Sequence, residues 1–199
     1  YLFEPMTYLS GASEFDKFFH ALFLSITTRT AGFNSIPSAM ISGPIVLLVM
    51  LLMAIGASPG STGGGIKTTT FALVAVAFFR MLRGKDRLTM FNREIHREYV
   101  RKALMIMFAY FLVFTVATFI LAVMEKDKQI IDLGFEVVSA LSTVGLSRDV
   151  SPRLGVGGKY LIISVMFIGR ISVLSFFMAF HRPKPEPNIK LPKTPVIIG

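Results

Sequence analysis

Cysteine is absent from the 199 residues, which excludes disulfides and thiolate metal sites and leaves the redox compartment unreadable. Histidine is scarce: His20, His96 and His181 stand singly, without the spacing of a metal site. No Ser/His/Asp set and no paired acids converge, so the chain does not read as an enzyme, and it calls for no cofactor. Charge is also thin, at 17% of residues, where a soluble domain carries about a quarter. The chain begins at Tyr1 rather than Met, and no targeting segment precedes its apolar runs. Tyr1-Leu2-Phe3-Glu4 reads as the tail of an apolar helix, which leads us to expect a fragment of a longer protein.

Apolar residues are abundant: they make up 53% of the chain, and mean hydropathy is +0.63. The net charge of +9 would suit a nucleic-acid binder, but its placement argues against one. Arg80, Arg83, Lys85, Arg87, Arg93, Arg97, Arg101 and Lys102 cluster between two apolar segments, and Arg182, Lys184, Lys190 and Lys193 follow the last. Lys and Arg flanking spans on one side is the positive-inside pattern, which puts both clusters in the cytoplasm. The reading is a multi-pass protein of the cell membrane, with lipid as its surroundings and no nucleic acid.

Two short segments then stand out. Thr28-Arg29-Thr30-Ala31-Gly32-Phe33-Asn34 and Ser142-Thr143-Val144-Gly145-Leu146-Ser147 lie 113 residues apart, counted from Gly32 to Gly145. Each follows a short amphipathic stretch and precedes a long apolar run. Residues 14–27 carry Phe15, Phe18, Phe19, Leu22 and Phe23 at helical spacing. At about 1.5 Å per residue this helix is roughly 20 Å long, too short for a ~30 Å hydrocarbon core. It fits a re-entrant pore helix, as does 129–141 before the second loop. Thr-Val-Gly is the core of the loop with which potassium channels strip and hold their ion. A polar, glycine-bearing loop at membrane depth is tolerated where it lines a water-filled path. The alternative for each loop is an ordinary glycine turn between helices.

Residues 41–83 would make a helix about 64 Å long, twice the bilayer, were they continuous. Pro59 and the glycines between Gly56 and Gly65 forbid that, so a broken helix with a loop at membrane depth is expected. Gly60 and Gly65 have the spacing of a phosphate-binding loop, but Ile66 intrudes before Lys67 and the preceding segment is a 17-residue apolar run. Ala103 to Met124 is the cleanest spanning stretch, and Glu125-Lys126-Asp127-Lys128 marks the outer interface. A last span covers 158–181, with Arg170 near its middle, where a guanidinium must find acceptors. The proline-rich end should be extended.

The expected fold is all-α and membranous, with repeats of helix, pore helix, filter loop and helix around a pseudo-fourfold pore. Residues 1–83 form a repeat lacking its first helix, with pore helix 14–27, filter 28–34 and broken helix 41–83. A basic cytoplasmic linker follows at 84–102. Residues 103–182 form a complete repeat, with span 103–124, pore helix 129–141, filter 142–147 and span 158–181. The tail, 183–199, is cytoplasmic.

Residues 27–34, the run Gly60-Ser61-Thr62-Gly63-Gly64-Gly65-Ile66-Lys67-Thr68-Thr69, residues 142–147 and Met166-Phe167-Ile168-Gly169-Arg170 occur in this order. Together they resemble the third and fourth repeats of the Trk/Ktr/HKT superfamily of potassium transporters. The terminal Pro195-Val196-Ile197-Ile198-Gly199 is similar to the Ktr-type carboxyl end. The resemblance implies potassium uptake, with filter positions Thr30, Ala31, Gly32, Phe33, Thr143, Val144, Gly145 and Leu146. It implies an intramembrane gate at Gly60, Gly63, Gly64, Gly65 and Lys67, with Arg170 beside it. It further implies a homodimer, a ring of cytosolic nucleotide-binding regulatory subunits, and sodium coupling (symport) or activation. The alternatives are a helix break needed only for packing, a purely structural Arg170, and Lys67 as an anchor of the second half-helix. For the whole chain, the alternative is a membrane fragment or interaction module that conducts nothing. Ile171-Ser172-Val173 stands where the family commonly has Gly-Pro, which leaves the local helix geometry open.

Overall fold

The computed structural model describes residues 11, 13–35, 37–84, 89–90, 93–173 and 175–176. The tail 183–199, the end of the last span and parts of the basic linker lie outside the described residues.

Helix α1 spans Glu14–Thr27. Its start is set by a capping box: Ser13 Oγ accepts from the Asp16 amide, and the Asp16 carboxylate accepts from the Ser13 amide. Helix α2 (Gly43–Ala54) opens on Gly43-Pro44, where proline's missing amide leaves no bond unmade. Helix α3 (Thr68–Leu82) follows the glycine-rich break. At about 18 and 23 Å, neither half crosses a bilayer alone. The break is closed at its neck by a parallel bridge in which Gly56 N–H donates to Ile66 O and Ile66 N–H to Ala54 O. The chain therefore leaves and rejoins the helical axis at nearly one point.

The linker holds a two-stranded antiparallel hairpin, β1 (Thr89–Met90) with β2 (Arg93–Glu94), which the all-helical expectation lacked. Helix α4 (Arg97–Met124) begins six residues before Ala103, inside the stretch assigned to the linker. Arg97, Arg101 and Lys102 are good helix formers, so charge alone does not end a helix. Helix α5 covers Ile130–Leu141, with Gln129 at its N-cap.

Helix α6 spans Val156–Ile171 and stops short of the 158–181 expected for the last span. Ser172 adopts a left-handed φ of 80°, which breaks the hydrogen-bond ladder. Helical geometry resumes only at residue 173.

Helix α5 lies at the centre, packed by α2, α4 and α6. One face joins a core with Tyr110, Leu121, Leu133, Val137 and Ile162. The other joins Val46, Val49, Met53, Phe135 and Val144. Every residue from Leu133 to Leu141 is buried, including the polar Glu136 and Ser139. In contrast, α1 buries only Thr27.

Candidate functional site

The two loops that follow α1 and α5 share an unusual backbone. Thr30 has φ 66° and Gly32 φ 74°, whereas Thr143 has φ 55° and Gly145 φ 95°. Each pair brackets one residue of ordinary φ, so the sign alternates along both loops. Left-handed φ is a genuine outlier for a β-branched threonine, and such strain clusters where function demands it.

The amides explain how the strain is held. Ala31 and Gly32 both donate to Thr27 O at the end of α1. Thr143 donates to Ala140 O and Val144 to Ser139 O at the end of α5. Within a trans peptide the N–H and C=O point in opposite directions. Amides turned into the helix ends therefore turn the carbonyls of Thr30, Ala31, Ser142 and Thr143 away from them. Phe33 differs: its carbonyl accepts from Thr27 Oγ1 at 2.7 Å, and its ring is exposed.

The loops meet. A Cβ on Gly32 would collide with the Val144 carbonyl oxygen, and one on Gly145 would lie 3.7 Å from the Gly32 Cα. Tyr110 from α4 braces the second loop from behind through a 2.7 Å bond between its hydroxyl and Ser142 Oγ.

Against both loops lies the glycine-rich break of 55–67. Gly64 N–H donates to Thr143 Oγ1 at 2.7 Å. A Cβ on Gly64 would sit 2.9 Å from the Ser142 carbonyl carbon, and one on Gly63 would sit 2.7 Å from Thr30 Oγ1. Gly65, at φ 75°, would bring its Cβ to 3.1 Å from Ser142 Oγ. Gly60 has open space around it and serves as a turn, with φ 85°. Lys67 makes no side-chain cap on α3; its ammonium grips carbonyls of Ser61 (3.0 Å) and Gly63 within the loop. Arg170, from α6, donates to Thr62 O at 2.9 Å. The structure thus brings Thr30, Gly32, Thr143, Val144 and Gly145 together with Gly63, Gly64, Gly65, Lys67 and Arg170, whereas Gly60 stands in open space and the Phe33 ring is exposed.

Sequence reasoning missed three contributors. Glu136, buried within α5, accepts from Ser147 Oγ and the Arg148 amide. Arg148 reaches Asp132 Oδ1 and, across the two repeats, the carbonyls of Ser38 and Ile41. Tyr110 is the third. An acid in the interior of a largely apolar helix, beyond the first-turn Asp132, was the available signal for Glu136. An open cavity of about 530 Å³ runs beside these groups, lined by Glu136, Thr143, Gly145, Ser147, Met166 and Arg170. Among the described residues no group of three or more His, Asp or Glu could hold a metal ion.

The model of the cation transport protein family, TrkH, matches residues 7–191. The chain belongs to this family. It is 44% identical over 191 residues to the Ktr system potassium uptake protein D of Bacillus subtilis. It is 41% identical over 183 residues to the Ktr system potassium uptake protein B of Vibrio alginolyticus. These alignments take in 96% and 90% of this chain but 42% and 39% of the relatives, so the chain spans about two fifths of their length. The potassium transporter TrkH of Vibrio parahaemolyticus shares the fold, with a TM-score of 0.73 over 87% of this chain and 39% of that one, at 23% identity. The family is one of cation transport proteins, not of enzymes. Helix α4 is the one helix among the described residues long and apolar enough to cross a bilayer.

Proposed function

We propose that this chain forms half of a potassium uptake pore, its two loops supplying two sides of a carbonyl-lined selectivity filter. One observation carries the reading: both loops spend their amides on their own pore helices and turn carbonyls the other way. Carbonyl oxygens freed in this manner can replace the hydration shell of a monovalent cation. The oxygens of Thr30, Ala31, Ser142 and Thr143 fit that role best. Phe33 enters through its position in the loop, since Thr27 occupies its carbonyl. Potassium as the ion follows from the names of the relatives.

Residues 55–67 act as the gate. Glycines at 63, 64 and 65 let the loop lie flush against both filter threonines, and Gly64 is tied to Thr143. Lys67 stiffens the loop from within, and Arg170 holds it from α6 while placing positive charge on the ion's exit path. In this arrangement the α4 end near Glu125 faces outside, and residues 84–102 and the tail face the cytoplasm. A homodimer, a ring of nucleotide-binding regulatory subunits and sodium coupling or activation complete the proposal, by resemblance to Ktr systems.

The test is potassium-dependent growth of an uptake-deficient strain carrying the full-length gene. Growth should be rescued by the wild type and abolished by Gly145→Asp, with the variant still present in the membrane. Rescue by Gly145→Asp would end the filter reading.

A further inference from the structure

Glu136 is 3% exposed and lies in the middle of α5, among apolar side chains. A carboxylate at membrane depth is costly unless its oxygens are engaged. Here they are engaged three times: by Ser147 Oγ at 2.6 Å, by the Arg148 amide at 2.8 Å and by Ser151 Oγ. All three donors belong to the segment that leaves Gly145. The end of α5 grips the same loop upstream, through the amides of Thr143 and Val144. Gly145 is therefore suspended between two anchors on one helix.

The second anchor also reaches the neighbouring repeat. Arg148, whose amide Glu136 holds, turns its guanidinium to Asp132 at 2.7 Å and to the carbonyls of Ser38 at 2.7 Å and Ile41 at 3.2 Å. Ser38 and Ile41 lie just beyond the other filter loop. The other loop has no carboxylate at the matching position: nine residues before Gly32 stands Phe23, exposed to 40%, where nine residues before Gly145 stands Glu136.

We propose that Glu136 is a positioning residue for ion selection, its carboxylate holding the Gly145 loop at the width that favours potassium over sodium. This rests on the filter reading above. Glutamine at this position keeps the size but offers one acceptor oxygen instead of two, so its NH2 group faces either Ser151 Oγ or the Ser147 hydroxyl and the Arg148 amide, and the charge that strengthens all three bonds is lost. A loop released on one side can close around a smaller ion, so sodium gains relative to potassium.

The experiment compares rubidium and sodium uptake by the full-length protein, normalised to protein in the membrane, for Glu136→Gln, Ser151→Ala and Gly145→Asp. Glu136→Gln should lower the rubidium-to-sodium ratio about tenfold, the scale of one lost charge-assisted hydrogen bond. Ser151→Ala, which removes one donor and keeps the carboxylate, should lower it less, in the same direction. An unchanged ratio in whichever variant reaches the membrane overturns the inference, as does an equal fall in both fluxes. If Glu136→Gln does not reach the membrane, the ratio of Ser151→Ala decides. Gly145→Asp separates the levels: persistent uptake there removes the filter itself, whereas its loss beside an unchanged ratio in the other two removes only the positioning role.

Discussion

Single atoms decide much of this site. Gly64 has no room for a methyl group, since a Cβ would press on the Ser142 carbonyl carbon and the Thr143 Cγ2, both at 2.9 Å. Gly64→Ala should therefore lift the loop from the filter and break the bond from the Gly64 amide to Thr143 Oγ1. Leak current through the full-length protein in planar bilayers should rise severalfold, and an unchanged or lower leak would count against the gate. The glycines were legible in the sequence, but their distinct duties were not. Gly60 faces open space and Gly64 faces Ser142 and Thr143, a difference that depends on residues 78 or more positions away. Arg170 was legible for a related reason: a guanidinium within an apolar span must find oxygen, and the loop's Thr62 carbonyl supplies it.

Among the elements, α6 depends most on close approach. Gly169 lies so near the end of α5 that a Cβ would strike the Leu141 carbonyl. Gly169→Ala must push α6 outward, costing about 1–3 kcal/mol by the usual penalty for overpacking. The check is a lower thermal midpoint for the detergent-solubilised full-length protein. The C-terminal end of α4 carries a pH prediction. The Lys128 ammonium, and after it the Gly155 amide, hold the Glu125 carboxyl below the usual glutamate range. A depressed folded value contributes stability that is fully present above the ordinary glutamate pKa and is lost as pH falls through the folded one. Thermal midpoints should therefore decline on acidification below about pH 4.5. Glu125→Gln should flatten that decline, because it leaves nothing to titrate there.

For the whole molecule, the decisive asymmetry is between α1 and α5. Helix α5 is enclosed by α2, α4 and α6, whereas α1 exposes Phe15, Phe18, Phe19, Leu22, Phe23 and Ile26. Among the described residues three helices pack closely on α5, and α1 has no such packing. Topology can be read directly, because the chain has no cysteine of its own. Lys126→Cys should react with a membrane-impermeant maleimide in intact cells, and Arg101→Cys only after permeabilisation. The reverse pattern would invert the orientation drawn from the basic clusters.

Composition and periodicity were enough to define short helices before paired glycine loops and an interrupted helix between them, and the basic clusters set an expected inner face. Each of these follows from local constraints: helix length against bilayer thickness, glycine against helix, and lysine and arginine against lipid. Partners across the molecule were beyond such reasoning. Nothing near Glu136 in the chain announces that Ser147, Arg148 and Ser151 converge on it, or that Arg148 clasps carbonyls more than a hundred residues away. The bonds to Glu136 need the chain after Gly145 to fold back along α5, and the Arg148 bonds to Ser38 and Ile41 need α2 and α5 to pack side by side.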